Sequence, residues 1–500
     1  MKRLDFSKLF LWSWALANLS IAHDGHAVSR MLLQREGVCW GYERNCAKDQ
    51  RLFVPHCDEP PSPWVNTMQE KHELFWNQGD FGYVKEVVDT LQLLCIPRDA
   101  DDSSLECSSH TKFCKTRNLY LDFRRFKAMS QSPGVYKSFL ENIFHPGEVG
   151  GHCQFNAAAH RSLGDHKSPL QSWFAELEQY TPLDFKPNTK HHCDVIVTKP
   201  TFFIKLDSGF NMYHHFCDFF NLYASQHANG SFNDDVIIVN WDTSYSNYGD
   251  MFSETWQAFS RYPLQKLSDF EGKRVCFRDV VFPLLARMRG GLYYNTYLVP
   301  GCSGSGLMQA FSKHTLQRLR VAQESSSSNV LRVTLLSRST QHRRIVNEDQ
   351  LVRAMKTVGY FQVKVVDYKY SKFPFLDQLK TTHNSDIFIG MHGAGLAHIM
   401  FLPDWAGVFE IFNTEDPGCY HDLARLRGVH YITWEDRKKL FEDAPGVHPT
   451  MGTAHAKFTN YSFDVPEFMR LVTVLGDIVL KRKQEYFSRG APDSIAKTEL

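Results

Sequence analysis

From residue 331 onward, short apolar runs alternate with amphipathic stretches of helical period. Residues 331–336 are a branched, apolar run of the kind that a strand buried on both faces requires. Residues 348–358 then place Leu351, Val352, Met355 and Val358 on one helical face, with Asn347 ahead of them as an N-cap candidate. The pattern continues with a strand at 362–366, a helix at 375–382 and a strand at 386–389. A short helix at 396–401, halted by Pro403, and strands at 408–412 and 430–433 complete it. Alternation of this length predicts a parallel, doubly wound α/β domain whose ligands bind at the carboxyl ends of the strands.

Before it, 194–197 and 235–239 read as buried strands with a helix over 213–228 between them, a β-α-β unit inside a mixed α/β region. Residues 323–329, with four consecutive serines, read as the linker between the two. Residues 32–117 are rich in Cys, Pro and turn formers, with one helical stretch at 84–94, and are expected to form a disulfide-held extension.

Chemistry concentrates at predicted strand ends. Gly393-Ala394-Gly395 follows the 386–389 strand and opens a helix. That geometry points backbone N–H groups and a helix dipole at one place, where a phosphate can sit. The spacing is not GxGxxG, and the plain alternative is an ordinary strand-to-helix turn. Ser337-Arg338 closes the first strand of the same domain with Arg343 and Arg344 close behind, and an arginine there can reach a diphosphate bidentately. Glu410 stands alone in an apolar run, which is costly unless it is paired; ribose hydroxyls or a structural ion pair would each justify it. In the first region, Asn211, His214, His215 and Asp218 fall at a helix start. His214 and Asp218, four apart, share a face, and a His–carboxylate pair can take a proton from a hydroxyl. The competing reading is a capped helix with a satisfied histidine. No convincing Asp-x-Asp or third ligand nearby suggests a metal.

Composition narrows the classes. With 43% hydrophobic residues, 22% charged and a net charge of +1 over 500 residues, the chain is globular, multidomain and without the basic field of a nucleic-acid binder. Residues 1–22, with Lys2, Arg3 and an apolar run ending in Ser-Ile-Ala, read as a secretory signal, and no other stretch is long enough to span a membrane. Lys497-Thr498-Glu499-Leu500 resembles a KDEL retention signal. The twelve cysteines lack a CxxC pair, and sequons stand at Asn229 and Asn460; both fit an oxidising lumen, so a resident of the endoplasmic reticulum is expected. Cys217, beside the candidate site, is expected to be a buried free thiol.

Taken together, Asn211–Asp218, Ser337-Arg338 and Met391-His392-Gly393-Ala394-Gly395-Leu396 resemble the EGF domain-specific O-linked N-acetylglucosamine transferases of the endoplasmic reticulum. The likeness runs from Tyr42 to about Asp464. It includes residues 168–177 (SPLQSWFAEL) and 423–434 (LARLRGVHYITW). The resemblance implies a GT-B-type enzyme with two Rossmann-like domains facing a cleft. Its parts would be a signal (1–22), a Cys-rich extension (23–117), an acceptor-side domain (118–322), a linker (323–329), a nucleotide-sugar domain (330–490) and a tail (491–500). It implies inverting transfer of one GlcNAc from UDP-GlcNAc to Ser or Thr of folded EGF repeats, in Notch-like receptors and matrix proteins. Asn211, His214 and Asp218 would be catalytic, and Arg338, His392, Gly393, Ala394, Gly395, Leu396 and Glu410 would bind the donor. Relatives carry Asp-Tyr-Asp where this chain has Arg261-Tyr262-Pro263, so no obligatory metal is expected, although Mn2+ could stimulate. A transferase for another sugar or acceptor, or a non-catalytic glycan-binding protein, are the rival readings.

Overall fold

The computed structural model describes residues 39–58, 65–126, 144–164, 168, 170–241, 250–287, 293, 299–443 and 446–488. The expected signal and the Lys497–Leu500 tail lie outside the described residues.

The C-terminal half is built on a five-stranded sheet in the order Phe361–Val366, Leu331–Leu336, Ile387–Gly390, Gly407–Glu410, His430–Thr433, all parallel. In chain order this is 2-1-3-4-5, a doubly wound arrangement whose order reverses between the Leu331–Leu336 and Ile387–Gly390 strands. The side chains explain why both faces are covered. Leu331, Val333, Leu335, Ile387, Ile389 and Phe409 pack with Leu351, Met355, Phe468 and Val472 on one side. On the other side, Leu336, Phe388 and Val408 join Phe375, Leu379 and Phe401.

The helix Val465–Ser488 closes the first face and is absent from the sequence reading, although Phe468, Leu471, Val472, Leu475 and Val479 recur at helical spacing and are buried. Its Lys483 ammonium is fully buried, 2.9 Å from Asp386 Oδ2, and donates to Ser326 Oγ and the Val330 carbonyl. The serine-rich linker is thereby tied to the sheet. Asn347 does sit at the start of helix Glu348–Met355, but its side chain makes no cap. It bonds both backbone groups of Phe463 instead.

The N-terminal half is not a second parallel sheet. It holds an eleven-stranded mixed sheet, with a path from Gln265–Lys266 through Ile237–Asn240, Thr201–Ile204, Arg274–Phe282, Cys114–Asp122, Ser104–Cys107 and Gln92–Ile96 to Gln154–Phe155. The parallel β-α-β unit exists, but its first strand is Thr201–Ile204, paired with Ile237–Asn240 across helix Met212–Asn229. The expected 194–197 strand (Val195–Val197) pairs with Arg274–Phe282 instead. The Cys-rich segment is no appendage. Strand Cys114–Asp122 runs straight through the expected boundary at 117 and carries nine residues of this sheet. The helix expected over 84–94 ends at Asp89, and Gln92–Ile96 forms a strand that buries Leu94 and Cys95.

Disulfides Cys39–Cys46, Cys95–Cys153 and Cys107–Cys114 fasten the early part of the chain. Cys57–Cys302 and Cys193–Cys276 reach much further. Cys217 is buried and in no disulfide, as expected, and its Sγ donates to the Ala286 carbonyl at 3.2 Å. Phe216 of the Met212–Asn229 helix packs on Phe375 (5.6 Å) and Phe401 (5.5 Å), so one core runs from the mixed sheet into the parallel one.

Candidate active site

The site forms where the N-terminus of helix Met212–Asn229 meets the carboxyl ends of the parallel strands. Asn211 caps that helix, its Oδ1 accepting the Tyr213 N–H at 3.1 Å, and Gly230 (φ 69°) ends it in the left-handed region. The first helical turn then carries His214 and His215 in two directions.

His214 is half-buried, and its Nδ1 lies 2.7 Å from Asp207 Oδ2. Arg287 clamps the same carboxylate, with Nε 3.0 Å from Oδ2 and Nη2 2.8 Å from Oδ1. Burial alone would raise the Asp207 carboxyl, but His214 and Arg287 outweigh it and hold it below its ordinary range.

The expected His214–Asp218 pair is not made. Asp218 is 8% exposed and partners the adjacent His215 (Nδ1–Oδ2, 3.3 Å), whose Nε2 lies 3.2 Å from Asp250 Oδ1. Burial works against a charge on His215, yet the two carboxylates prevail and raise it to about 9. Burial pushes Asp218 up to about 6. The proton therefore rests on the imidazole, and that cation makes two buried carboxylates tolerable. Asp218 Oδ2 also takes the backbone N–H of Asp207 at 3.1 Å. Its work is positional: it holds the loop that carries Asp207. Asn211, likewise, spends its oxygen on the cap.

Across the gap, Gly393 follows the Ile387–Gly390 strand at φ 155°, and a Cβ there would meet Arg338 Nη1 at 2.4 Å and Arg343 Nη1 at 3.3 Å. A Cβ at Gly395 would meet Leu336 Cδ2 at 2.7 Å. Gly393 is favoured by its backbone angle, since the arginine ends could shift, whereas Gly395 is favoured by the close approach of Leu336. The element that follows, Ala394–Phe401, is a 3-10 helix that starts two residues before the expected helix and ends with it, and Leu396 is fully buried within it. Arg343 Nη1 donates to the His392 carbonyl at 2.9 Å.

Neither Arg338 nor Arg343 has a carboxylate within ion-pair distance among the described residues, and the Nε atom of each is buried without a hydrogen-bond partner. Burial, with Arg343 next to it, lowers Arg338 to about 10, and burial lowers Arg343. Two adjacent, half-buried cations without counter-charge sit at the place where the strand order reverses, which is where doubly wound sheets bind anionic ligands. Arg344 turns away, its backbone N–H bonding Asn460 Oδ1.

Glu410 resolves to the structural alternative. It is fully buried, with Oε1 2.8 Å from His392 Nδ1, and the Tyr431 hydroxyl donates to Oε2. It fixes His392 rather than facing a ligand.

The Arg261-Tyr262-Pro263 stretch lies at the opposite end of the mixed sheet. Arg261 pairs with Asp234, and Tyr262 donates to Asp235 at 2.6 Å, both ahead of the Ile237–Asn240 strand. Cys39, Glu43 and Cys46 are the one group of three potential metal ligands among the described residues, and the two cysteines are joined to each other. Asn229 and Asn460 are both half-buried; Asn229 is the last residue of its helix and Asn460 the first of a strand.

Sequence reasoning missed Asp207, Arg287 and Asp250 as partners in this cluster. Asp207 stood seven residues before His214, but only the fold brings Asp250 and Arg287 to the cluster.

The glycosyltransferase 61 family model matches residues 212–409, from the first residue of the His214 helix to the strand after the glycine turn. The chain is also similar to curated proteins named EGF domain-specific O-linked N-acetylglucosamine transferase. The chicken protein is 54% identical over 447 residues, covering 89% of this chain and 82% of its own length. The chimpanzee protein is 52% identical over 457 residues (91% and 85%), and the Drosophila melanogaster protein 45% identical over 467 residues (92% and 88%). The chain belongs to this transferase family. It is a glycosyltransferase, and the family model's span contains His214, Arg338 and the glycine turn.

Proposed function

We propose that the protein transfers a single N-acetylglucosamine from UDP-GlcNAc to Ser or Thr hydroxyls of folded EGF-like domains, inverting the anomeric carbon, in the lumen of the endoplasmic reticulum. One observation carries the donor half of this reading: Arg338 and Arg343, partly buried and without carboxylate partners among the described residues, stand over Gly393 at the reversal point of the parallel sheet. A nucleoside diphosphate supplies the two negative charges this place lacks. The relatives' shared name supports GlcNAc as the sugar and EGF domains as acceptors. Five disulfides support an oxidising compartment such as that lumen.

The reaction is a single displacement. With Nδ1–H donated to Asp207, Nε2 is the nitrogen of His214 that takes the acceptor hydroxyl's proton as its oxygen attacks the anomeric carbon. Asp207, itself clamped by Arg287, stabilises the imidazolium that results. Charge that accumulates on UDP is met by Arg338, Arg343 and the N–H groups at the start of the Ala394–Phe401 helix, groups already aligned before reaction.

The test is acceptor mass after incubation with UDP-GlcNAc and a folded EGF repeat bearing a free Thr, with and without EDTA. A gain of one N-acetylhexosamine is expected in both. A gain abolished by EDTA would place a metal in the leaving-group chemistry, and a gain seen only with another nucleotide sugar would overturn the donor.

A further inference from the structure

Tyr420 lies in helix Cys419–Arg427 and is 3% exposed. Its ring stands edge-on to Tyr213 (centroids 5.6 Å apart), the neighbour of His214, and to His392 (5.1 Å), whose carbonyl holds Arg343. The residue therefore stands between the helix that bears the base and the arginine pair.

Buried phenols are as a rule satisfied. Tyr83, Tyr180, Tyr293 and Tyr461 are comparably buried, and each gives its hydroxyl proton to a protein acceptor, at 3.1, 3.2, 2.7 and 2.9 Å. Tyr223, enclosed by the rings of His227, Phe232, Phe311 and His314, shares with Tyr420 the lack of an acceptor among the described residues, so it is the arginine pair that sets Tyr420 apart. The Tyr420 hydroxyl has no such acceptor among the described residues, and its oxygen is not among the fully sealed atoms. Packing alone would be served by phenylalanine. A hydroxyl kept beside two unpaired guanidinium groups calls for an acceptor that arrives with the ligand, and burial holds the phenol protonated, hence a donor.

We propose that Tyr420 donates a hydrogen bond to the diphosphate of the sugar nucleotide, a third donor beside Arg338 and Arg343, and so stabilises the departing UDP. This rests on the donor reading above. No covalent step is involved; the phenol keeps its proton throughout.

Tyr420→Phe keeps the ring and its two edge contacts. In the full-length protein it is expected to lower affinity for UDP by roughly ten- to a hundredfold. kcat/KM for transfer should fall at least as far. Affinity for uridine, followed by ligand-observed NMR, should stay at the wild-type value because uridine carries no phosphate. Unchanged UDP affinity and kcat/KM in Tyr420→Phe would overturn the proposal. Equal losses for uridine and UDP would also overturn it, since they would mark a packing role. If the wild-type protein itself fails to bind UDP, the donor reading falls first, a result separable from either of these.

Discussion

The two walls of the site treat charge in opposite ways. On the side of helix Met212–Asn229, three aspartates, two histidines and an arginine neutralise one another: Asp207 with His214 and Arg287, Asp218 and Asp250 with His215. On the side of the parallel sheet, Arg338 and Arg343 lie together with no carboxylate at ion-pair distance among the described residues. The first wall is complete by itself and fixes geometry, as a base and its orienting carboxylate need. The second is incomplete by itself and costs stability until an anion arrives. On the donor reading proposed above, unpaired, half-buried charge is where the ligand would bind, and paired charge is where shape is held.

That contrast can be tested by forcing charge where none is wanted. His160, His227, His314 and His398 are buried, have no carboxylate partner among the described residues, and are pushed down to about 4, 3, 4 and 4 by burial. A histidine with a depressed folded pKa contributes stability that is whole above the unfolded value of about 6.5 and lost as pH falls from there toward the folded value. Each should cost about 2 kcal/mol between pH 7 and pH 5, so denaturant melts should show the protein failing well above the carboxylate range. A denaturation midpoint unchanged from pH 7 to pH 5 would break the rule.

Removing the base comes next. His214→Ala should lower kcat by roughly a hundred- to ten-thousandfold while UDP affinity, read by calorimetry, stays as in the wild type. On the other wall, Arg338→Ala should weaken UDP binding by about ten- to a hundredfold and leave the ligand-free melting temperature equal or higher, because an uncompensated cation is gone. A large drop in that temperature would mean the arginine has a structural partner after all.

Asp207→Asn should cost about tenfold in kcat. Steady-state kinetics should show the loss in kcat with UDP affinity unchanged, since the carboxylate orients the imidazole rather than facing the donor. The smallest effect belongs to Asn211→Ala, about 1 kcal/mol of stability from the lost cap with kcat little changed. A large loss of kcat there would restore Asn211 to the chemistry.

The same divide separates what could be read from the sequence. The strands at 331–336 and 430–433 were legible to the residue because each is a short run rich in apolar and β-branched residues set off by turn formers, and its neighbours follow within a few dozen residues. The glycine turn and Arg338 were legible because each closes such a strand. The mixed sheet was not. Its nine-residue strands Cys114–Asp122 and Arg274–Phe282 pair across about 160 residues, and no local period announces a partner that distant.

Within the site, the i,i+4 spacing did place His214 and Asp218 near one another, but it could not show that the imidazole turns back to the loop. Asp207 lies ahead of the helix, and His215, one residue on, claims Asp218 instead. The Glu410 reading left two options because a buried carboxylate needs a partner of some kind; Tyr431, twenty-one residues on, supplied the answer.

The Cys57–Cys302 bridge has a consequence in time. It joins residues 245 apart, and the whole mixed sheet is strung between them. On the outer side of that junction, Arg425 of the parallel half donates from Nε to the Cys302 carbonyl at 3.2 Å and from Nη2 to the Val299 carbonyl. A chain emerging from the ribosome holds Cys57 in waiting until most of the catalytic wall has been made. Only after that can it offer the sealed seam to a guanidinium synthesised last of the three. The order of manufacture is written into the covalent thread, and a nick anywhere between the two cysteines would leave a single molecule rather than two.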